Sequence, residues 1–382
     1  MAVPDLVSLV ATRQTTYHCH EASFIPMRTL SITFLTLLLC GVSILGQEKP
    51  LSQAEYVKML YELPKNPSNK GALVEALRRR GIEFVLNDGI RSVTRSKSAN
   101  DDELKRALEE ANRRRQNPTG AQLPPAAELT ALLDKTTQKT LKAVGDMPDF
   151  VVKQQIQRSA AYAGTGNFTN LDKLIVAVSY RSSGEETYKV LSINGAIQNA
   201  SEARGSYEQV GGTSSTGEFV TMLATIFKPE SKTRFEAVDT DLIIGRRTVM
   251  FDFAIDKDRA RQIITAVGVS TDSTITGMRG RVWIDRDDAR VLKIESEATE
   301  IPPGFPVRTA RRVIDYDWVK IEDERFLLPS VSDVRLTMSD KGKVFETRNL
   351  IRFKNYQKYG SEVKILDDDI KPEPEPTPIK PY

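Results

Sequence analysis

The chain has 382 residues, 40% of them apolar and 27% charged, with a net charge of +3. That balance fits a globular protein of about two domains and excludes a collagen, a wholly disordered chain and a polytopic membrane protein. A strong nucleic-acid binder needs a concentrated basic stripe, so a nucleic-acid partner is not expected.

Met27-Arg28 precedes an uncharged apolar run, Leu30 to Leu45, closed by the small residue Gly46. The run is shorter than the ~20 residues that span a bilayer comfortably, and the order basic, apolar, small is that of a secretory signal peptide. The expected signal is 27–46, with cleavage between Gly46 and Gln47. Residues 1–26 are polar and mixed and read as an extension upstream of the true start, Met27. Cys19, Cys40, His18 and His20 are the only cysteines and histidines, and all precede Gln47. The exported chain then has no thiol or imidazole. That removes Ser-His-Asp and Cys nucleophile chemistry and zinc sites of the usual ligand types. No cofactor and no metal are implied; carboxylate chemistry, Ser-Lys chemistry, oxygen-ligated cations or no chemistry remain.

Residues 51–115 read as a small all-helical module. Ser52 with Glu55 has capping-box spacing, and Tyr56, Leu60 and Leu63 share a face before Pro64. Leu73, Val74 and Leu77 build a second helix, ended by Arg78-Arg79-Arg80 and Gly81. Asp101 and Asp102 start a third, through Leu104 and Leu108 to Arg113-Arg114-Arg115. The triplets read as charges complementing helix C-termini, since 51–115 holds 14 basic and 10 acidic residues. Residues 116–127 contain three prolines and form a linker. Leu129, Leu132, Leu133, Leu141 and Val144 recur at helical spacing before Gly145 and Pro148.

From Phe150 to about Tyr359 the period becomes two, as in Val249, Phe251, Phe253 and Ile255 or Leu292 and Ile294. Turn signals such as Ser182-Ser183-Gly184 and Lys341-Gly342 separate the runs, giving roughly nine to eleven antiparallel strands. A helix over 216–227 interrupts them, with Phe219, Leu223, Ile226 and Phe227 on its apolar side. The expected fold is α+β: a long antiparallel curled sheet, a half-barrel over 128–362, around one or two helices. The tail 363–382 alternates proline with charge and reads as a disordered extended end.

The blocks DMPDFVVKQQIQR, VSYRSSGEETYKVLSING, STGEFVTMLATIFKPESKTRFE, GRRTVMFDFAI, GRVWIDRDDARVLKIESEATEIPPGFPV and IDYDWVKIEDERFLLP follow in order over roughly 128–360. They resemble a family of uncharacterised exported proteins found mainly in acidobacterial genomes. The resemblance implies export and architecture rather than an activity. The GxVWID hairpin, over about 275–300, is also similar to one in the lipoprotein-carrier (LolA/LolB-like) superfamily. That likeness implies a concave apolar sheet able to hold an acyl chain.

Other motifs carry less. Asp285, Asp287 and Asp288 lack the Gly and Glu of a calcium loop, whose places are taken by Arg290 and Ser296, and read as a hairpin turn. Asp315/Asp317, Glu295/Glu297 and Glu322/Glu324 are carboxylate pairs on single strand faces, the pattern of a solvated face. Ser361 and Lys364 have Ser-Lys spacing but sit at a strand end. The Gly/Ser loop 211–219 lacks a P-loop lysine and reads as a helix cap. The expected ligand contacts are Phe219, Met222, Leu223, Ile226, Phe227 and Trp283, lining the apolar concavity. The sequence therefore points to an exported, non-catalytic protein of the periplasm or cell envelope that binds a lipid, an acylated protein or another apolar ligand. Its helical module or tail would contact an envelope protein partner. The alternatives are a ligand-free structural or sensory interaction module and a carboxylate-dependent glycan hydrolase.

Overall fold

A computed structural model describes residues 49–118, 122–163, 165–198, 213, 217–267, 271–340 and 342–361. The expected extension 1–26, the signal with its cut at Gly46/Gln47, and the tail 363–382 lie outside these residues.

Four helices open the described chain: α1 (Gln53–Glu62), α2 (Lys70–Arg80), α3 (Asp88–Lys97) and α4 (Asp102–Gln116). Ser52 caps α1 by accepting the Glu55 amide at 3.2 Å, and Asp101 caps α4 by accepting the Leu104 amide at 2.9 Å. The second half of the expected capping box is absent, because the Glu55 carboxylate is held by Arg80 instead. Gly81 ends α2 at φ +70°, a conformation costly for other residues. The sequence reading lacked α3, which Asn87 caps at 3.0 Å from the Ile90 amide. Tyr56, Leu60, Leu73, Leu77, Ile90, Leu104 and Leu108 share one apolar cluster confined to residues 51–111.

Helix α5 (Ala126–Gly145) follows: α4 runs on through Gln116 and α5 starts directly after Pro125, so both ends of the expected 116–127 linker belong to helices. The strands are β1 (Phe150–Tyr162), β2 (Thr169–Tyr180), β3 (Glu186–Ile193), β4 (Ala196–Ile197), β5 (Arg234–Ile243), β6 (Arg246–Ile255), β7 (Gln262–Val267), β8 (Thr271–Asp285), β9 (Val291–Thr299), β10 (Val307–Ile321), β11 (Glu324–Asp340) and β12 (Lys343–Lys358). Helices α6 (Thr221–Phe227) and α7 (Lys257–Ala260) interrupt them. The strands form one curled, unclosed antiparallel sheet in the order β4-β3-β2-β1-β12-β11-β10-β9-β8-β6-β5, with β7 beside β8. The count exceeds the expected nine to eleven; β4 has only two residues, too few to leave an alternating pattern.

One face of the sheet, the inner face, carries two apolar clusters. The first gathers Phe150, Val176, Tyr180, Ile351 and Phe353, and the second Val249, Phe251, Val282, Ile284, Ile294 and Ile314. Helix α5 contributes Leu132 to the second, and Val144 packs against the first. Burying both rows of alternating residues against helices is the favourable term that holds the curl.

The outer face is covered by α4 through charged groups. Arg106 forks onto Glu295, Arg113 reaches Asp241 and the Thr240 carbonyl, Arg114 reaches Asp239, and Glu103 meets Arg311 at 3.4 Å. Arg113 and Arg114 thus hold helix and sheet together, a role beyond the helix-end charge expected of them.

Candidate functional site

Helix α6 begins at Thr221, not 216, because residues 218–220 form a turn after Gly217 at φ +79°. That turn sends neighbouring side chains into different clusters. Phe219 packs in the first, with ring centroids 5.2 Å from Phe150, 5.5 Å from Phe353 and 6.0 Å from Tyr180. Met222, Ile226 and Phe227 are buried in the second, and Leu223 is half-buried against it. The five expected contacts are therefore packed side chains at the junction of two apolar clusters.

Trp283 departs from the expectation. Val282 and Ile284 point inward, so the strand alternation turns Trp283 to the outer face, where its side chain is fully buried (0% exposed). Its Nε1 donates to Asp241 at 3.1 Å, and Arg106 and Lys293 lie 5.2 and 5.6 Å from the ring centroid. The parity of the VWID block carried this information.

The inner face also holds a seam of polar groups between and across the apolar clusters. Glu186 accepts from the Tyr188 hydroxyl and, at 3.2 Å, from the Gly217 amide, while its second oxygen has no hydrogen-bond partner. Glu218 is fully buried nearby. Burial pushes the Glu186 carboxyl above its ordinary range, and the Glu218 charge adds to this while Arg312 opposes it. Burial likewise raises the hydroxyls of Tyr188, Tyr316 and Tyr356, so all three are neutral donors. The Gln154 amide, the Ser332 hydroxyl and the Tyr316 hydroxyl are buried without a hydrogen-bond partner. Asn349, in the same seam, bonds Thr213 through both ends of its amide, at 3.0 and 2.7 Å.

The carboxylate pairs singled out in the sequence lie elsewhere. Glu295 and Glu297 are bound to arginines of the outer face, Asp315 faces Lys293, and Glu322 pairs with Lys358 at the surface. Asp285 accepts the amides of Asp287 and Asp288, the hairpin turn expected there. Glu186 and Glu218 were missed because they are distant in sequence and only the sheet brings them together. An apolar-seamed strand carrying Glu186 and Tyr188 on one face was the available signal.

Beyond the seam, the inner face continues as a third apolar cluster of Ile264, Ala298 and Val307, with Ala310, Leu336 and Met338 half-buried against it. Phe345, paired with Met338, is half-buried, and its ring lies 6.4 Å from that of Tyr162, which is 65% exposed. Among the described residues no α5 or α6 side chain belongs to this cluster. A separate open groove of about 690 Å³ at the rim is lined by Asp149, Glu322, Asp323, Glu324 and Phe326, among others, and shares none of these residues. Among the described residues no helix is long and apolar enough to cross a membrane, and no group of three or more His, Cys, Asp or Glu could hold a metal ion.

No protein-family model matches the sequence, and no curated protein matches it at a significant score. Among solved structures, a DUF1329 family protein from Desulfovibrio piger is similar at 9% identity over 63% of this chain and 96% of that one, with a TM-score of 0.26. The MucA/MucB complex of Pseudomonas aeruginosa gives 11% identity over 58% and 94% of the two chains and a TM-score of 0.16. A second structure, MucB in complex with MucA(peri), gives 10% identity over the same shares and the same TM-score.

Proposed function

We propose that this is an exported, non-catalytic protein of the cell envelope whose curled sheet holds an apolar ligand, a lipid or the acyl chain of a modified protein. The observation that carries this reading is the half-buried strip of Ala310, Leu336, Met338 and Phe345 on the inner face, beyond the reach of α5 and α6. Apolar concave surfaces that incorporate a few polar groups are the usual form of a small-ligand site. In this reading Phe219, Met222, Leu223, Ile226 and Phe227 are the packed wall that holds the curl open, and the chain lies on the strip beside them. Trp283 belongs to the contact with α4. Export rests on the run Leu30–Leu45 closed at Gly46, and on the resemblance to exported acidobacterial proteins.

The test is to strip the protein of lipid, incubate it with envelope extract, repurify it and analyse bound species by mass spectrometry. Acyl lipid is expected on the wild type and absent from Leu336→Asp. Recovery of no lipid on the wild type removes the reading.

The half-buried Glu186 beside the fully buried Glu218 favours a second reading, a carboxylate-dependent hydrolase. Release of reducing sugar from cell-wall glycan by the wild type but not by Glu186→Gln is its signature.

A further inference from the structure

The inner-face strip is apolar, but beyond it lie buried groups that a polar ligand would satisfy. Gln154 on β1 pairs in register with Phe353 and Val176, both inner-face residues, so its amide lies on that face. Ser332 on β11 sits between Ile351 and Ile314 of the neighbouring strands, and Tyr316 on β10 is one inward residue beyond Ile314. All three are at least nine-tenths buried, and neither end of the Gln154 amide, nor the Ser332 Oγ, nor the Tyr316 hydroxyl has a hydrogen-bond partner. A buried polar group left this way costs about 1–3 kcal/mol. Four such atoms along one face are a recurring expense that a purely structural core would avoid with leucine or phenylalanine.

Their spread sets the size of what they fit. Gln154 and Tyr316 lie on β1 and β10, three strand spacings apart, which is about 14 Å. A single carboxylate or ammonium is too small to reach both. Their charge setting sets the type. Arg312, inward-facing opposite Val334, forms no hydrogen bond or close ion pair among the described residues, and its charge opposes that of Glu186 across the seam. Cationic and anionic groups therefore oppose one another, and the seam has no single-sign field to select a point charge. The unsatisfied set contains donors and acceptors together: both ends of an amide, two hydroxyls and one oxygen of Glu186. Hydroxyl groups, which donate and accept at once, complement such a set.

We infer that the seam of Gln154, Ser332, Tyr316 and Arg312 is a head-group site, and that the ligand is an amphiphile with an uncharged, hydroxyl-rich head such as a sugar. Its chain lies along Leu336, Met338 and Phe345, and its head reaches the seam past the half-buried Arg312. This rests on the apolar-ligand reading above and specifies the ligand class.

The experiment compares three amphiphiles of equal chain length below their micellar concentrations: dodecyl maltoside, dodecanoate and dodecyltrimethylammonium. Binding is read by displacement of the fluorescent apolar probe 1-N-phenylnaphthylamine from the purified protein. Dodecyl maltoside is expected to bind at least about tenfold tighter than the two charged compounds, the worth of one or two net hydrogen bonds. Gln154→Leu and Ser332→Ala should abolish that margin and leave the affinity for dodecanoate unchanged. Both variants should fold, since replacing an unpartnered buried polar group by an apolar one of similar shape is neutral or stabilising. Equal affinity for all three compounds, as a seam satisfied by water alone would give, overturns the head-group assignment while leaving the apolar site standing. So does a margin that survives both substitutions. If the probe does not bind and no dodecyl compound does, the apolar-ligand reading falls with it.

Discussion

Glu110 offers a sharp test of how the helical module is seated on the outer face. It is 2% exposed, lies 3.4 Å from Arg106 Nε and 3.9 Å from Arg281 Nη1, and neither carboxylate oxygen accepts a hydrogen bond. Both arginines have better partners, Glu295 for Arg106 and Asp252, at 2.5 Å, for Arg281. Burial is the largest influence on Glu110 and pushes its carboxyl above the ordinary value of 4.5; Asp239 and Asp241 add to the rise, and Arg106 and Arg281 oppose it. A carboxyl raised in the folded state favours folding when protonated. That contribution is complete below the ordinary value and disappears as pH climbs through the raised one. Wild type has less of it at neutral pH than at 4.5. Glu110→Gln keeps the neutral form at every pH and should be more stable at neutral pH by about 1 kcal/mol, the low end for a buried unsatisfied group because the new amide also needs partners. The gap should close as pH falls toward 4.5, where Glu110 itself becomes neutral. Urea unfolding followed by tryptophan emission measures both, since Trp283 is buried at this contact. A less stable variant at neutral pH, or a gap that does not change with pH, refutes the reasoning.

The remaining predictions concern packing and docking. Gly280→Ala would put a Cβ 1.9 Å from the Glu295 carbonyl oxygen on the neighbouring strand, so it should cost about 3 kcal/mol or more, and a variant that melts with the wild type would contradict it. Tyr56→Phe removes a buried hydroxyl bonded to Thr94 Oγ1 at 2.7 Å and should cost about 1 kcal/mol in urea unfolding. Burial pushes the Tyr56 hydroxyl up to about 12, so stability of the helical cluster should fall as pH rises from 10.0 toward that value, and less so in the phenylalanine variant. Arg114→Glu sets like charges together at Asp239; it should expose Trp283 to acrylamide quenching, and Arg114→Glu combined with Asp239→Arg should restore the shielding.

The architecture was legible where periodicity is strong. Val249, Phe251, Phe253 and Ile255 announced β6, and the leucines from Leu129 to Leu141 announced α5, because each lines a single buried face. Helix α3 was not legible, since Gly89 and a run of polar residues dilute its pattern and only Ile90 and Thr94 are buried. The start of α6 was misplaced for a tertiary reason: Phe219 is drawn to Phe150 and Phe353, and the turn that takes it there delays the helix to Thr221. The same limit governs the site. Periodicity identifies which residues face inward but not which inward residues are neighbours, so Gln154, Glu186, Arg312 and Ser332 look like scattered interruptions of apolar strands. Sheet order turns them into one seam, because β12 returns to pair with β1 and brings the last strands beside the first.

The alternation along each strand also explains why the outer and inner faces differ in kind. Each strand alternates, so the residues that do not face the apolar clusters must meet either water or another element. On β5 and on β8 to β10 they meet α4, and the contact is made by Arg106, Arg113, Arg114 and Glu110 around Trp283, with the module's apolar cluster kept to itself. Ion pairs that are partly exposed contribute little each, so the module's seat is weaker than the core beneath it. Variants on the outer face should therefore change how the module docks, and variants on the inner face should change what the sheet holds.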